Sequence, residues 1–180
     1  MLEDRLLLWR LRRGDAEALQ HIYERYKNDL LGLAIALSGD RATGEDVVHD
    51  VFVTFAGRAA TLWLKTSLRS YLLTSIANRV RNVLKARARQ TVPPGNGQTV
   101  SDEQSRPDHA AVRSEQATLI EQALAQLPYD QQEVIVLHLQ TGLRFREIAV
   151  SQTVSINTVQ SRYRYGLDKL RSLLNSKVTP

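Results

Sequence analysis

The sequence predicts an all-α protein in which two small helical domains are joined by a flexible linker. Apolar residues recur every three or four positions through most of the chain, which is the spacing of one helix face. Residues 90–110 are polar and rich in Gly, Pro, Ser and Gln, so they cannot bury enough surface to fold. Residues 142–174 follow the pattern of a helix, a tight turn and a second helix, which is typical of a helix-turn-helix. We therefore assign one domain to 1–89 and a second to 111–180.

The first two predicted helices cover residues 3–13 and 16–37, and Gly14 and Asp15 separate them. Asp15 can cap the second helix, because its carboxylate can accept hydrogen bonds from the unpaired amides of the first turn. Gly39 can end this helix, since Gly readily takes the left-handed conformation there. We expect the second helix to bury one continuous apolar stripe, formed by Leu19, Ile22, Tyr23, Tyr26, Leu30, Leu33 and Leu37.

The third predicted helix begins near Thr43, which places Glu45 and Asp46 in the first turn, where the helix dipole favours acidic side chains. The expected buried side consists of Val47, Val48, Val51, Phe52 and Phe55. A second face carries Asp46, His49, Asp50 and Val53, and we interpret it as a surface for docking a protein.

A stretch of loop character is expected at 57–66, with Leu62 and Trp63 exposed, and a fourth helix at 67–88. No Asp or Glu occurs between Val51 and Ser101, whereas the same stretch contains many Arg and Lys residues. A surface kept basic only for solubility would normally mix both signs of charge. This distribution indicates a polyanionic partner, because Lys and Arg neutralise phosphates and release their counterions.

The second domain is predicted to contain helices at 111–126 and 129–140 before the helix-turn-helix, with Gly142 after the second of them. Thr153, Val154 and Ser155 form the expected turn, and Ser155 is a good cap for the last helix. The inward side of that helix is predicted to comprise Val159, Tyr163, Leu167, Leu170 and Leu174. An ordinary helical hairpin with a solvated basic face is the alternative, because short helix-turn-helix patterns have many false positives.

Composition limits the possible classes of protein. The chain contains no Cys, which excludes disulfides, thiolate metal sites and a Cys nucleophile. The N-terminus lacks the order of residues found in a signal peptide. The longest apolar run, about Leu30 to Leu37, is far shorter than the ~20 residues that span a bilayer. The net charge is +5 at pH 7. We expect a cytoplasmic protein that does not insert into a membrane and needs no cofactor.

Two functions are compatible with parts of the sequence. A metal-dependent phosphohydrolase could use the cluster of Glu45, Asp46, His49 and Asp50, but such a site needs further His and Asp ligands from other helices. A DNA-binding regulator with a helix-turn-helix, like the output domains of response regulators, could use residues 111–174 alone. Regulators of that kind usually carry a strand-containing receiver or ligand-binding domain, so helices throughout 16–88 would argue against it.

Three segments resemble the extracytoplasmic-function (ECF) sigma factors, the small two-domain class of the bacterial sigma-70 family. GEDVVHDVFVTFA is similar to sigma region 2.2, and SYLLTSIANRVRNVLKAR is similar to regions 2.3 and 2.4, with Asn78 on the family's Asn. The segment from ALAQLPYDQQ to YRYGLDKLR resembles region 4, including Thr158, Val159, Ser161 and Arg162 of its TVxSR motif. The order and spacing of the three segments are much more specific than any one of them.

The resemblance implies a protein without a catalytic site that binds core RNA polymerase and directs it to promoters. The implied partners are the β′ clamp helices and the β flap of the polymerase, promoter DNA, and an anti-sigma factor. Residues implied to contact polymerase are Asp46, His49, Asp50 and Phe52. Those implied for the −10 element and its phosphates are Arg69, Asn78, Arg79, Arg81 and Lys85. Those implied for the −35 element are Asn157, Thr158, Gln160, Ser161, Arg162 and Arg164.

Several positions depart from the family pattern. Gln160 stands where many relatives have a basic residue, so we expect a different base preference, since Gln prefers adenine. Ser151, Gln152 and Thr153 replace two apolar residues and Gly, which predicts a less regular turn. Gly166 lies in the middle of a helix, where Gly costs ~1 kcal/mol relative to Ala, and we expect close packing to be the reason for it.

Overall fold

The computed structural model describes residues 2–64, 66–90 and 115–178, and within these ranges the chain is helical and contains no strand. The helices are α1 (Leu2–Arg12), α2 (Ala16–Ser38), α3 (Arg41–Arg58), a short 3₁₀ turn (Ala59–Thr61), α4 (Leu68–Gln90), α5 (Glu115–Leu124), α6 (Tyr129–Leu139), α7 (Phe145–Gln152) and α8 (Ile156–Val178). The predicted all-α class is confirmed. Most of the predicted linker, from residue 91 onward, lies outside the described residues, and the domain boundaries stay predictions.

The described chain divides into two compact units, Met1–Arg81 and Asn82–Pro180, and this division falls within α4. Each unit is built from consecutive helices that pack on one another, α1 to α3 in the first and α5 to α8 in the second. None of the helices in the described ranges is long and apolar enough to cross a membrane.

Aspartate caps begin two helices of the N-terminal unit. Asp15 accepts hydrogen bonds from the amides of Glu17 and Ala18 at 3.0 and 3.3 Å, as predicted. Asp40 accepts from the amide of Thr43 at 2.8 Å, so α3 begins at Arg41, earlier than expected. The prediction that Glu45 and Asp46 occupy the first turn was therefore wrong, because the carboxylate at this helix end belongs to Asp40.

The core of the N-terminal unit forms where α2 packs against α1 and α3. The predicted buried side of α3 is confirmed, and its Phe55 is fully buried. On α2, however, Tyr23 is 40% exposed and Leu19 is half-buried, so the prediction that these two residues belong to the buried stripe was wrong. The core face of α2 instead comprises Ala18, Ile22, Tyr26, Leu30, Leu33, Ala34 and Leu37. Tyr23 lies on a second, partly open apolar face of the same helix.

In the C-terminal unit, α8 crosses the other helices at close range. Gly166 of α8 is buried, and a Cβ atom there would lie 2.8 Å from Cδ1 of Ile135 and 3.2 Å from Cβ of Gln131 on α6. Both distances are shorter than ordinary van der Waals contact. The predicted reason for this glycine, close helix packing, is confirmed.

The turn between α7 and α8 is formed by Thr153, Val154 and Ser155, as predicted. Thr153 has a φ of 57°, in the left-handed region, and the amide of Val154 donates to the carbonyl of Ala149 at 3.0 Å. Ser155 caps α8, because its hydroxyl accepts from the amide of Thr158 at 3.0 Å. A β-branched residue in the left-handed region stores strain. The less regular turn expected from the sequence is therefore seen as the backbone conformation of Thr153.

Replacing Thr153 by Gly should stabilise the C-terminal unit by about 0.5–1 kcal/mol, because Gly takes a positive φ without the Cβ clash but loses more entropy on folding. Thermal unfolding followed by circular dichroism should show a rise in melting temperature of roughly 3–6 °C. Thr153→Ala is the matched control, since it removes the same exposed side-chain atoms but keeps a Cβ. A gain from Ala as large as that from Gly would contradict the strain argument.

Candidate nucleic-acid and protein interfaces

The N-terminal half of α8 presents a polar face. Asn157, Gln160, Ser161 and Arg164 are spaced by three, one and three residues, so they lie on one side of the helix. Asn157, Gln160 and Arg164 are exposed, and Ser161 is half-buried. The guanidinium of Arg164 packs over the ring of Tyr165 at 5.1 Å, which steadies a long side chain at the surface. This face has the donors and acceptors needed to contact base edges and phosphates in a major groove.

Two other predicted −35 residues have partners within the unit. The Thr158 hydroxyl lies 2.9 Å from that of Ser155 and so belongs to the helix cap. Arg162 forms an ion pair with Asp130 of α6 at 3.0 Å and donates to the side-chain oxygen of Gln152 of α7 at 2.9 Å. Arg162 thereby connects α8 to α6 and α7. Its contact with DNA stays a prediction.

The sequence did not single out Asp130 or Gln152 as partners of Arg162, because they are 32 and 10 residues away along the chain and no local spacing connects them. Gln152 also gives a reason for one departure from the family pattern. Its polar side chain, in place of an apolar residue, accepts a hydrogen bond from the α8 arginine.

On α4, Asn78, Arg81 and Lys85 are spaced by three and four residues and share one face of the continuous helix. Arg81 donates to the side-chain oxygen of Asn78 at 2.9 Å, which orders the two side chains together. Lys85 is exposed to solvent. The cluster is suited to phosphate contacts, because two cationic side chains and one amide side chain lie along the same face of α4.

The other two predicted α4 residues pair with neighbouring helices. Arg79 donates to a carboxylate oxygen of Asp50 on α3, with the Nε atom 3.0 Å away. Arg69 lies 3.3 Å from Asp29 on α2 and, nine residues before Asn78, projects from the opposite side of α4. The structure therefore joins Asp50, predicted to bind polymerase, to Arg79, predicted to bind DNA. The DNA contacts of Arg69 and Arg79 stay predictions.

The α3 face predicted for protein docking is present. Asp46, His49 and Val53 are exposed, and half of the Asp50 side chain is accessible. Phe52 differs from the other residues predicted to bind polymerase, because it is only 7% exposed. Its ring makes edge-to-face contacts with Tyr23 and Phe55, at centroid distances of 4.9 and 6.3 Å. Phe52 is thus a core residue, and its small accessible part lies on the same side as Tyr23.

An apolar groove of about 640 Å³ lies between α2 and α3 on this side of Phe52. Its apolar lining includes Leu19, Tyr23, Leu31, Val48, Phe52 and Val53. Lys27, Glu45 and His49 lie at its polar edge. Sequence reasoning missed the α2 half of this groove because it assigned Leu19 and Tyr23 to the buried stripe and gave Leu31 no role. The signal was present, since Leu19, Tyr23 and Leu31 are offset from the core set.

The stretch predicted as a loop at 57–66 is partly helical. Helix α3 continues to Arg58 and a 3₁₀ turn covers Ala59–Thr61, so irregular chain begins at Leu62. Leu62 is half-buried, whereas Trp63 is 82% exposed. No group of three or more His, Asp or Glu side chains that could hold a metal ion occurs in the part of the chain that the structure describes.

Together these features are those expected of a helical protein that binds DNA through one surface and another protein through a second. The Sigma-70 region 2 model matches residues 22–90, and the Sigma-70 region 4 model matches residues 117–170. The ECF RNA polymerase sigma factor SigX of Bacillus subtilis is 30% identical over 86% of this chain and 82% of its own length. The RNA polymerase sigma-H factor of Pseudomonas aeruginosa is 26% identical over 93% of both chains.

Two solved structures share the fold. A sigma factor from Bartonella quintana, in complex with the anti-sigma factor NepR, superposes with a TM-score of 0.68 at 23% identity, covering 89% of this chain and 98% of that chain. CnrH in complex with the cytosolic domain of CnrY gives a TM-score of 0.71 at 21% identity, covering 97% and 98%. The chain belongs to the ECF class of the sigma-70 family of RNA polymerase sigma factors.

Proposed function

We propose that this protein binds core RNA polymerase and directs it to promoters by recognising a −35 and a −10 element. The observation that carries the proposal is the polar face of Asn157, Gln160, Ser161 and Arg164 on the helix of a helix-turn-helix, in a chain that also contains region 2. A regulator that only binds duplex DNA would need the first of these features but not the second. The protein would work in the bacterial cytoplasm and would need neither a cofactor nor a catalytic site of its own.

The α8 face would read the −35 element. Asn157, near the start of α8, would enter the major groove first, since recognition helices approach it with their N-terminal residues. Gln160 would donate to and accept from an adenine edge, and Arg164 would contact phosphate or guanine. Arg162 would support this reading mainly by holding α8 against α6 and α7, through Asp130 and Gln152.

Region 2 would contact the −10 element in two ways. Arg81 and Lys85 would neutralise phosphates along α4, with Asn78 held in place by Arg81. The irregular chain after Thr61 would face the melted strand, where a base leaves the stack and is held by the protein. The cost of unstacking that base would be recovered by new stacking and hydrogen bonds.

Core polymerase would dock on α3 and on the groove beside it. Exposed Asp46 and His49 and half-exposed Asp50 supply charge and hydrogen bonds, and the groove floor at Phe52 supplies apolar surface. The β′ clamp helices are the expected partner here, and the β flap is the expected partner of region 4. An anti-sigma factor is a further expected partner, because the Bartonella quintana sigma factor of the same fold was solved in complex with one.

Asp50→Asn should lower the affinity for core polymerase about 5- to 10-fold while changing the free energy of unfolding by less than about 1 kcal/mol, because the Asp50–Arg79 pair is half exposed. Core binding measured by fluorescence anisotropy and urea unfolding would test both parts. Asp29→Asn is the matched control, since it breaks the similar α2–α4 pair with Arg69. Equal losses of affinity in the two variants would argue against a specific role for Asp50.

The proposal is tested by mixing the protein with sigma-free core RNA polymerase and separating the products by size-exclusion chromatography. A sigma factor should co-elute with the core enzyme at a 1:1 ratio without DNA. A helix-turn-helix regulator that acts on duplex DNA alone should elute separately, and that result would overturn the proposal.

A further inference from the structure

The ion pair between Arg79 of α4 and Asp50 of α3 joins two side chains that are predicted to contact different partners. The Nε atom of Arg79 donates to Oδ2 of Asp50 at 3.0 Å, and Nη2 donates to the same oxygen. Two donors of one guanidinium hold a carboxylate more firmly than one donor does, because the group is planar and its N–H groups keep a fixed spacing. Arg79 therefore restricts the carboxylate of Asp50 to one orientation.

The helical position of Arg79 separates it from the cationic face of α4. Asn78, Arg81 and Lys85 lie on one side of the helix, at steps of three and four residues. Successive residues of an α-helix are rotated by about 100°, which places Arg79 roughly a third of a turn from the middle of that side. Its side chain extends towards α3 and ends on Asp50. DNA that lies along the cationic face would meet Arg79 only at its margin.

The carboxylate of Asp50 remains accessible to a docking protein. The side chains of Asp50 and Arg79 are 45% and 48% exposed. Both hydrogen bonds go to Oδ2, and no hydrogen bond within the described chain uses Oδ1. Asp46, one turn earlier, and His49 are exposed on the same helix. Oδ1 can thus accept a hydrogen bond from a cationic or N–H donor of a protein that docks on α3.

We infer that Arg79 is a positioning residue for core RNA polymerase, because it holds Asp50 in the orientation in which Oδ1 accepts a donor of the polymerase. The inference rests on the proposed function and deepens it, since it assigns Arg79 to polymerase binding instead of DNA binding. Docking would remove water from the half-exposed pair, and a charged hydrogen bond is stronger in a less polar environment. A carboxylate that already has its bound orientation also loses less side-chain entropy when polymerase binds.

The first measurement is the affinity of fluorescently labelled protein for sigma-free core polymerase, by anisotropy, with urea unfolding to verify that each variant is folded. Arg79→Ala should bind about 2- to 5-fold more weakly, the range expected for a half-exposed ion pair. Arg69→Ala is the matched control, because Arg69 of α4 also pairs with a carboxylate, that of Asp29 on α2, and its removal should leave core affinity unchanged. Unchanged core affinity of Arg79→Ala would overturn the inference.

A double-mutant cycle distinguishes positioning from direct contact. In an Asp50→Ala background, Arg79→Ala should cause no further loss, because the carboxylate that it orients is absent. A further loss as large as that in the wild-type background would mean that Arg79 touches polymerase itself, and would overturn the positioning role. Arg79→Lys keeps the charge but not the planar pair of donors, so it should still lose about 2-fold. Wild-type affinity in Arg79→Lys would show that charge alone is needed.

The salt dependence of promoter binding separates this role from a DNA contact. The complexes are formed with core polymerase in advance, at concentrations that keep every variant bound, on a promoter obtained by mapping transcription start sites. Arg79→Ala should leave the slope of log affinity against log salt unchanged, whereas loss of a phosphate contact should reduce it by about 0.9. That reduction would overturn the inference while the proposed function stands. Wild-type protein that does not bind core polymerase would instead refute the proposed function and this inference with it.

Discussion

Replacing Arg81 and Lys85 by Ala should weaken promoter binding by the polymerase complex about 10- to 100-fold at about 50 mM salt. The two residues share a face of α4, and each would release counterions by contacting one phosphate. Removing both should reduce the slope of log affinity against log salt by about 1.8. The ratio of wild-type to double-variant affinity for the promoter should therefore fall about tenfold between about 50 and 200 mM salt.

Arg69→Ala is the comparison that makes this test specific. Arg69 is a basic residue on the same helix, but it lies on the opposite side and pairs with Asp29. Its removal should leave the salt slope unchanged and lower affinity less than twofold. A slope change in Arg69→Ala as large as that in Arg81→Ala would mean that the phosphates run along the other side of α4. That result would support the DNA contact predicted for Arg69 from the sequence.

Gly166→Val should destabilise the C-terminal unit by about 2–3 kcal/mol, because the new side chain must displace Ile135 and Gln131 on α6. A loss of this size should lower the melting temperature of the unit by roughly 10–20 °C. It should also abolish −35 recognition at temperatures where wild type is folded, since the recognition helix α8 would no longer be held. Circular dichroism across the melt would measure the loss of stability.

The protein offers an internal way to localise this effect. Trp9 and Trp63 both lie in the N-terminal unit, so tryptophan fluorescence reports on that unit, whereas circular dichroism reports on both. Gly166→Val should shift the circular dichroism transition more than the fluorescence transition. Gly57→Val is the control, because the space around a Cβ at Gly57 on α3 is open. Equal destabilisation by the two substitutions would show that close packing at Gly166 is not the cause.

Local chemistry was predictable from the sequence because its signals lie within a few residues of one another. Asp15 and Ser155 are examples, since each caps a helix through amides two or three residues away. The face formed by Asn157, Gln160, Ser161 and Arg164 follows from helical spacing in the same way. The start of α3 was misplaced because two acidic residues inside the helix competed with Asp40 as the apparent first-turn charge.

Contacts between distant segments were not predictable, and they change how several residues are understood. The pairs Arg79–Asp50 and Arg162–Asp130 span 29 and 32 residues, and nothing in the sequence indicates them. The same applies to Arg12, which reaches Trp63 from another helix. Tyr23 shows a different limit, because an apolar residue at helical spacing can face an open groove as well as the core.

The central claim is that this chain gives core RNA polymerase its choice of promoter. The most direct measurement is transcription from fragments of the source genome by sigma-free core polymerase with and without the protein, followed by sequencing of the RNA 5′ ends. We expect discrete start sites that require the protein and share two upstream elements. Start sites that are the same with and without well-folded protein, despite co-elution with the core enzyme, would contradict it.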